Sequence, residues 1–226
     1  MLTRVGPGTP MGEYLRRFWT PIMPVSDLPE PDCDPVEVRI LGEDLVAFRD
    51  TAGDIGLLQA LCPHRQAPLF YGRNEERGLR CIYHGWKFAT DGACVDMPSE
   101  PADTDFRGKV RTTAYPVRER AGILWAYLGP SSKMPSEIPH IEWTVLPEEQ
   151  RHFVRYEQMC NFVQAIEGDI DSSHIGFLHR NPTPAATTGP SEIQYRQRDL
   201  APRWVVEPTR YGLMLAAQRN AGDGTY

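Results

Sequence analysis

The chain has 226 residues, is 41% hydrophobic and 24% charged, and carries a formal net charge of −6, which gives apolar content for one large core or two modest ones. With no long basic run, it argues against a nucleic-acid partner or an anionic membrane surface. No stretch approaches about eighteen apolar residues, the amino terminus lacks an apolar signal-like run, and the five cysteines are odd in number without disulfide-like spacing; these features predict no membrane-spanning helix, no secretory signal and a reducing, cytoplasmic setting.

In chain order, residues 10–19 (PMGEYLRRFW) predict a short helix. Pro10 suits a first turn, and Tyr14, Leu15, Phe18 and Trp19 share one side. Pro21, Pro24, Pro29, Pro31 and Pro35 then predict extended loop, so residues 1–35 read as a lead-in. From Val36, VEVRILGEDLVAFRD reads as two strands joined at Gly42-Glu43-Asp44, and residues 55–61 as a third strand. Asp91-Gly92 signals a turn between strands. Residues 115–117 and 122–128 add two more strands, so residues 36–130 predict a small antiparallel β domain. A polar, proline-bearing stretch from Gly129 to Pro135 marks a boundary, and 131–144 reads as a linker. Beyond it, residues 151–158 suggest a strand, 161–179 a mainly helical segment, and 203–207 and 211–217 strands again. The fold class is therefore α+β, with residues 145–226 as a second region of helix plus antiparallel sheet.

Two residue clusters stand out. The first is Cys62-Pro63-His64 and, after sixteen intervening residues, Cys81-Ile82-Tyr83-His84. Two thiols and two imidazoles in this order fit either a [2Fe–2S] cluster with histidine in place of cysteine on one iron, or a structural zinc site. Each loop offers one sulfur and one nitrogen, whereas zinc fingers usually group Cys with Cys and His with His. Imidazoles in place of thiolates remove negative charge and raise the cluster potential, from about −400 mV to between about −150 and +300 mV. Cys33, Cys94 and Cys160 show no such pattern and are expected to be ordinary reduced residues.

The second cluster is Asp171-Ser172-Ser173-His174-Ile175-Gly176-Phe177-Leu178-His179. On a helix Asp171 and His174 would share a face. His174 and His179 would point about 140° apart at 3.6 residues per turn. They can meet on one ion only where the helix ends, bends or bulges, and Gly176 is a candidate for that departure. Two imidazoles and a carboxylate suit a non-haem Fe(II) centre with open positions.

With both clusters in this order, the chain resembles the α (oxygenase) subunits of Rieske non-haem iron ring-hydroxylating oxygenases, in the phthalate dioxygenase-like branch. Phe18-Trp19-Thr20-Pro21, both metal loops with His84-Gly85-Trp86-Lys87-Phe88, residues 115–125 and residues 167–174 all carry the resemblance. It implies that Cys62 and Cys81 bind one cluster iron, His64 and His84 the other, and His174 and His179 a mononuclear Fe(II). It implies that Asp171 is the electron-transfer bridge, linking His174 to His84 of a neighbouring subunit. It further implies a homotrimer, a reductase that passes on electrons from NAD(P)H, and hydroxylation or demethylation of a small aromatic substrate with O2. Electron transfer without catalysis and a zinc-stabilised interaction domain are the competing readings.

One departure is expected to matter. In this family a third iron ligand, an aspartate, lies well downstream of the second histidine, and the aspartates after His179 here are Asp199 and Asp223. Neither has the expected surroundings, so the chain reads as carboxy-terminally truncated within the catalytic region. Arg65, Tyr83 and Trp86 are expected to pack near the cluster, Phe177 and Leu178 in a core or pocket, and His140 and His152 on the surface; Glu167 reads equally as a carboxylate close to the mononuclear iron's ligands or as a solvated helix residue.

Overall fold

The computed structural model describes residues 2–180, 195–196, 198–210 and 212–222. They belong to two compact units, Met1–Tyr156 and Glu157–Tyr226.

In the first unit, helix α1 (Pro10–Leu15) starts at Thr9, whose hydroxyl accepts a hydrogen bond from the Gly12 amide at 3.2 Å. It ends before Phe18 and Trp19, earlier than the apolar pattern predicts. The strands that follow are β1 (Thr20–Pro24), β2 (Val36–Ile40), β3 (Glu43–Arg49), β4 (Ile55–Gln59), β5 (Arg73–Glu75), β6 (Gly78–Arg80), β7 (Lys87–Phe88), β8 (Cys94–Asp96), β9 (Val117–Arg120) and β10 (Ile123–Ala126). They make three antiparallel sheets in the orders β1-β10-β9, β2-β3-β4 and β5-β6-β7-β8. Residues 20–24, predicted as loop, are therefore a strand. Pro21 and Pro24 are tolerated because β1 lies at a sheet edge and carries a bulge between Pro21 and Met23.

Three hairpins turn on two left-handed residues each. Leu41 and Gly42 (φ 47° and 77°) join β2 to β3, Glu76 and Arg77 (φ 49° and 62°) join β5 to β6, and Ala121 and Gly122 (φ 58° and 79°) join β9 to β10. The first turn thus lies one residue earlier than predicted, and Glu43 and Asp44 are paired in β3. Residues 151–158, predicted as a strand, form none. Arg155 instead pairs with Asp27 at 2.7 Å.

Three apolar clusters fill this unit. Val46, Phe48, Leu58, Leu69, Leu79 and Phe88 surround Cys62, Cys81 and Trp86. Met23, Leu28, Leu45, Leu57 and Leu124 form a second cluster, and Trp19, Trp125, Tyr127 and Ile138 a third, with Trp143 against it.

In the second unit, helix α2 (Phe162–Ile170) is capped by Asn161, whose side chain accepts from the Val163 amide at 3.1 Å. It stops at Ile170, well short of the predicted helical segment, and a 3-10 turn follows at His174–Gly176. Strands β11 (Arg203–Thr209) and β12 (Gly212–Gln218) pair in an antiparallel hairpin, as the apolar runs predict. Among the described residues, no helix is long and apolar enough to cross a membrane.

Candidate metal-cluster loops and the histidine turn

The first metal loop leaves β4 and the second connects β6 to β7. Their backbones close in the same way. In the first loop, the Cys62 amide donates to the Ala67 carbonyl at 2.8 Å and the Gln66 amide to the Cys62 carbonyl at 2.9 Å. In the second, the Cys81 amide donates to the Trp86 carbonyl at 2.9 Å and the Gly85 amide to the Cys81 carbonyl at 3.0 Å. The fourth residue after each cysteine is left-handed, Gln66 at φ 58° and Gly85 at φ 77°. At position 85 glycine is also needed for space, because a Cβ there would stand 2.6 Å from Pro98 Cγ.

These closures bring like donors together. Cys62 and Cys81 are 1% and 2% exposed, over the cluster of Phe48, Leu69, Leu79 and Phe88. The Cys62 thiol is pushed up to about 11, chiefly by burial; the His64 backbone acts against this, and the adjacent Cys81 thiol adds to it. The imidazoles of His64 and His84 are half-buried, with ring centroids 4.6 Å apart. Trp86 stacks on His64 at 4.2 Å and 5° between planes, and its indole N–H donates to Ser99 Oγ at 3.2 Å. Tyr83 lies 4.0 Å from the His84 ring. Burial, and then His84, hold His64 below its ordinary pKa, which favours the neutral ring that ligates a metal. The donor set is thus a dry sulfur pair and a half-exposed nitrogen pair. Among the described residues no three His, Cys, Asp or Glu side chains converge on one ion. In a diiron cluster of this kind each iron takes two side chains and two bridging sulfides.

In the second unit the chain leaves the helix before the histidines, so they do not follow helical spacing. Asp171, predicted to share a helix face with His174, is the carboxy-terminal cap of α2, with extended backbone at φ −78° and ψ 108°. Its carboxylate accepts from the Ser173 amide at 2.7 Å and the His174 amide at 3.3 Å, and lies 3.2 Å from His174 Nδ1. These contacts, the Ser173 amide first, hold the Asp171 carboxyl below its usual range. The His174 and His179 rings come to a centroid distance of 5.2 Å. Gly176, the expected bend, has ordinary backbone angles. Its small size instead admits Leu200, whose Cδ2 would be 2.6 Å from a Cβ.

Contacts from far along the chain hold this turn, and sequence reasoning missed them. Arg219, 9% exposed, donates to the Ser172 carbonyl at 2.6 Å and to Ser172 Oγ at 2.9 Å, and also to the Asp199 carbonyl. The Asp199 carboxylate accepts from the amides of Asn220 at 2.7 Å and Ala201 at 3.1 Å. It acts as a backbone cap on this geometry. Asp223 lies outside the described residues. Phe177 and Leu178, expected in a core or pocket, are 67% and 76% exposed. His140 and His152 are exposed as expected, and Glu167 is exposed on α2.

Comparison with known proteins gives two family matches, the second beginning within the first unit. Residues 18–116 match the Rieske [2Fe-2S] domain, and residues 126–223 match the family described as LigXa C-terminal domain like. The chain is 42% identical to the 3-chlorobenzoate-3,4-dioxygenase oxygenase subunit of Comamonas testosteroni, covering 100% of this chain and 52% of the relative. It is 43% identical to the phthalate 4,5-dioxygenase oxygenase subunit of Pseudomonas putida, covering 100% and 53%. A crystal structure of dicamba monooxygenase with non-heme iron and dicamba aligns with a TM-score of 0.53 at 29% identity, over 60% of this chain and 40% of that one. The chain spans about half the length of the curated relatives it matches.

Proposed function

Because the chain belongs to the Rieske oxygenases, as an oxygenase (α) subunit of the phthalate dioxygenase-like branch, we propose that Cys62 and Cys81 hold one iron of its [2Fe–2S] cluster and His64 and His84 the other. The observation that carries this reading is the pairing of like donors. Two buried thiols lie side by side and two imidazoles stand 4.6 Å apart, on loops closed by the same two backbone hydrogen bonds. His174 and His179 hold a mononuclear Fe(II), a reading supported by the closeness of their rings, 5.2 Å between centroids, and by the non-heme iron of the dicamba monooxygenase structure. When bound, the cluster supplies one-electron transfer and the mononuclear iron supplies O2 activation.

The chain's own residues orient and insulate these groups. The core under Cys62 and Cys81 keeps water from the sulfur side, while the half-buried imidazoles leave an exit for electrons. The Trp86 indole, held by Ser99, fixes the plane of the His64 ring. Asp171 fixes the ring of His174 through Nδ1, which leaves Nε2 to face a metal. Asp171 is the electron-transfer bridge to His84 of a neighbouring subunit, so the working assembly is a homotrimer. Its partners are a reductase fed by NAD(P)H, O2 and a small aromatic substrate to be hydroxylated or demethylated; the setting is cytoplasmic.

Iron and acid-labile sulfide analysis of the purified protein, with its visible spectrum, tests this reading. Two irons and two sulfides with Rieske-type absorbance, and a third iron lost on His174→Ala or His179→Ala, is the expected result. Zinc in a colourless protein overturns the cluster assignment. Two irons whose count His174→Ala does not change overturn the mononuclear site and leave an electron carrier.

A further inference from the structure

The second cluster loop is bracketed by two cations that the cluster reading does not use. Arg80 precedes Cys81 and Lys87 follows Trp86, and each side chain is 9% exposed. Burying a charge is costly unless it is paired and hydrogen-bonded, and the pairing here is extensive. Arg80 Nε meets Glu75 Oε1 at 2.6 Å, Nη1 meets Asp96 Oδ2 at 2.7 Å, and Nη2 lies 3.5 Å from Glu76 Oε2. Lys87 Nζ pairs with the same Glu76 oxygen at 2.9 Å. The contact that matters most is made by Nη1, which also donates to the Gly85 carbonyl at 2.8 Å.

Gly85 is the left-handed residue that closes the loop, and its amide bonds back to Cys81. One guanidinium therefore grips both ends of the segment that carries Cys81 and His84: the first end through the chain at position 80, the second through the Gly85 carbonyl. Among the described residues no buried cation grips the first loop; it is closed by its backbone bonds and by Gln66 Nε2, 3.5 Å from the Cys62 carbonyl, with Gln59 Nε2 donating to the Leu61 carbonyl at 2.8 Å at its start. Glu75 and Asp96, on the edge strands β5 and β8, hold the guanidinium between them. Arg80 in turn holds the Asp96 carboxyl below its usual range.

We propose that Arg80 is a positioning residue for the cluster, clamping the Cys81–His84 loop through the Gly85 carbonyl and, with Asp96, setting the local charge that biases the cluster's reduction potential. This rests on the assignment of Cys81 and His84 as cluster ligands. Net charge and hydrogen bonding around a cluster govern its potential. Removing the cation exposes the cluster to uncompensated carboxylates, which favour the oxidised form. Removing the Asp96 charge leaves the cation in excess, which favours the reduced form. The two substitutions therefore act in opposite directions, although both break the same ion pair.

The test is redox titration of the iron–sulfur-loaded protein, followed by visible absorbance and electron paramagnetic resonance, for wild type, Arg80→Gln, Arg80→Lys and Asp96→Asn. Arg80→Gln shifts the midpoint to more negative values and loses its visible absorbance to a chelator roughly tenfold faster than wild type, a typical outer-shell penalty. Arg80→Lys keeps the charge without the fork and restores the midpoint, but not the full resistance to chelation. Asp96→Asn, at a side chain 36% exposed and so tolerant of change, shifts the midpoint to more positive values. Equal midpoints in all four proteins, or shifts of the same sign in Arg80→Gln and Asp96→Asn, overturn the inference. A wild-type protein that assembles no cluster overturns the ligand assignment instead, a distinct result.

Discussion

The two units hold their metal-binding side chains by different means. Among the described residues, every apolar side chain buried to 6% or less lies between Trp19 and Ile138, in the first unit. The cluster loops there sit on a dry floor and are closed by backbone hydrogen bonds. In the second unit the buried polar side chain is Arg219, while Trp204, Val206, Leu213 and Met214 on the hairpin are 42–65% exposed. A two-stranded hairpin is marginal in water without further burial. The histidine turn is tied by charge and hydrogen bonds, through Asp171, Arg219 and Asp199. Two imidazoles with ring centroids 4.6 Å apart rest on packing in one unit, and two with centroids 5.2 Å apart rest on polar ties in the other.

The largest effect expected is at the sulfur floor. Cys81→Ser removes one of two thiolates from its iron and abolishes both the visible absorbance and the labile sulfide, read by metal and sulfide analysis. A variant that kept both would show that the thiols are not ligands and would remove the functional half of the contrast. Next in size is the packing beneath them. Phe48, fully buried, is expected to cost about 3–5 kcal/mol on truncation to alanine. Val206→Ala, at a side chain 53% exposed, stays within about 0.5 kcal/mol. Denaturant titration followed by tryptophan fluorescence compares the two. Equal costs would mean that the second unit also relies on an apolar core.

The sequence makes the first unit's chemistry legible and the second unit's geometry largely illegible, for a physical reason. Cys62, His64, Cys81 and His84 come from two short loops whose order alone separates sulfur from nitrogen, and strands such as β3 and β4 declare themselves by apolar runs. Local propensity misled where tertiary context decided. Pro21 and Pro24 read as loop but fit an edge strand, and residues 161–179 read as helix but stop at Ile170, where Asp171 turns its carboxylate onto the next amides. Arg219 was invisible because it meets Ser172 from 47 residues away, and no spacing rule spans that distance. Arg80 was likewise only a residue beside a cysteine until β5 and β8 brought its carboxylates to it.

A smaller effect sharpens the polar side of the contrast. Arg219→Ala leaves the carbonyls of Ser172 and Asp199 without their donor, at a cost of about 1–3 kcal/mol for unmade hydrogen bonds. If the turn presents His174 and His179 to iron, its Fe(II) affinity falls roughly tenfold, the scale of a lost outer-shell partner. Cluster absorbance stays at the wild-type level. Equilibrium dialysis with Fe(II) beside the visible spectrum separates the two readouts, and a variant that loses the cluster instead would erase the division between units.

The smallest effect is a pH dependence confined to the same ties. The Asn220 amide, and then the Ala201 amide, hold the Asp199 carboxyl below its usual range. Its folded pKa thus lies under the unfolded value near 3.9. A depressed acid contributes stability that is complete above the unfolded value and is lost as pH falls through the folded one, so nothing changes from neutrality up to alkaline pH. Asp199→Asn keeps an oxygen to accept from the amides but removes the charge. At pH 7 the Asn220 amide of this variant should therefore exchange faster than in wild type, once each rate is divided by its intrinsic value. As the pH falls through the folded value, which lies below the unfolded one, the wild-type carboxyl takes up a proton and comes to resemble the amide side chain, and the gap should close. A gap that stayed constant across that range would mean that Asp199 supports the hairpin by shape alone, and the polar account of the second unit would then rest on Arg219.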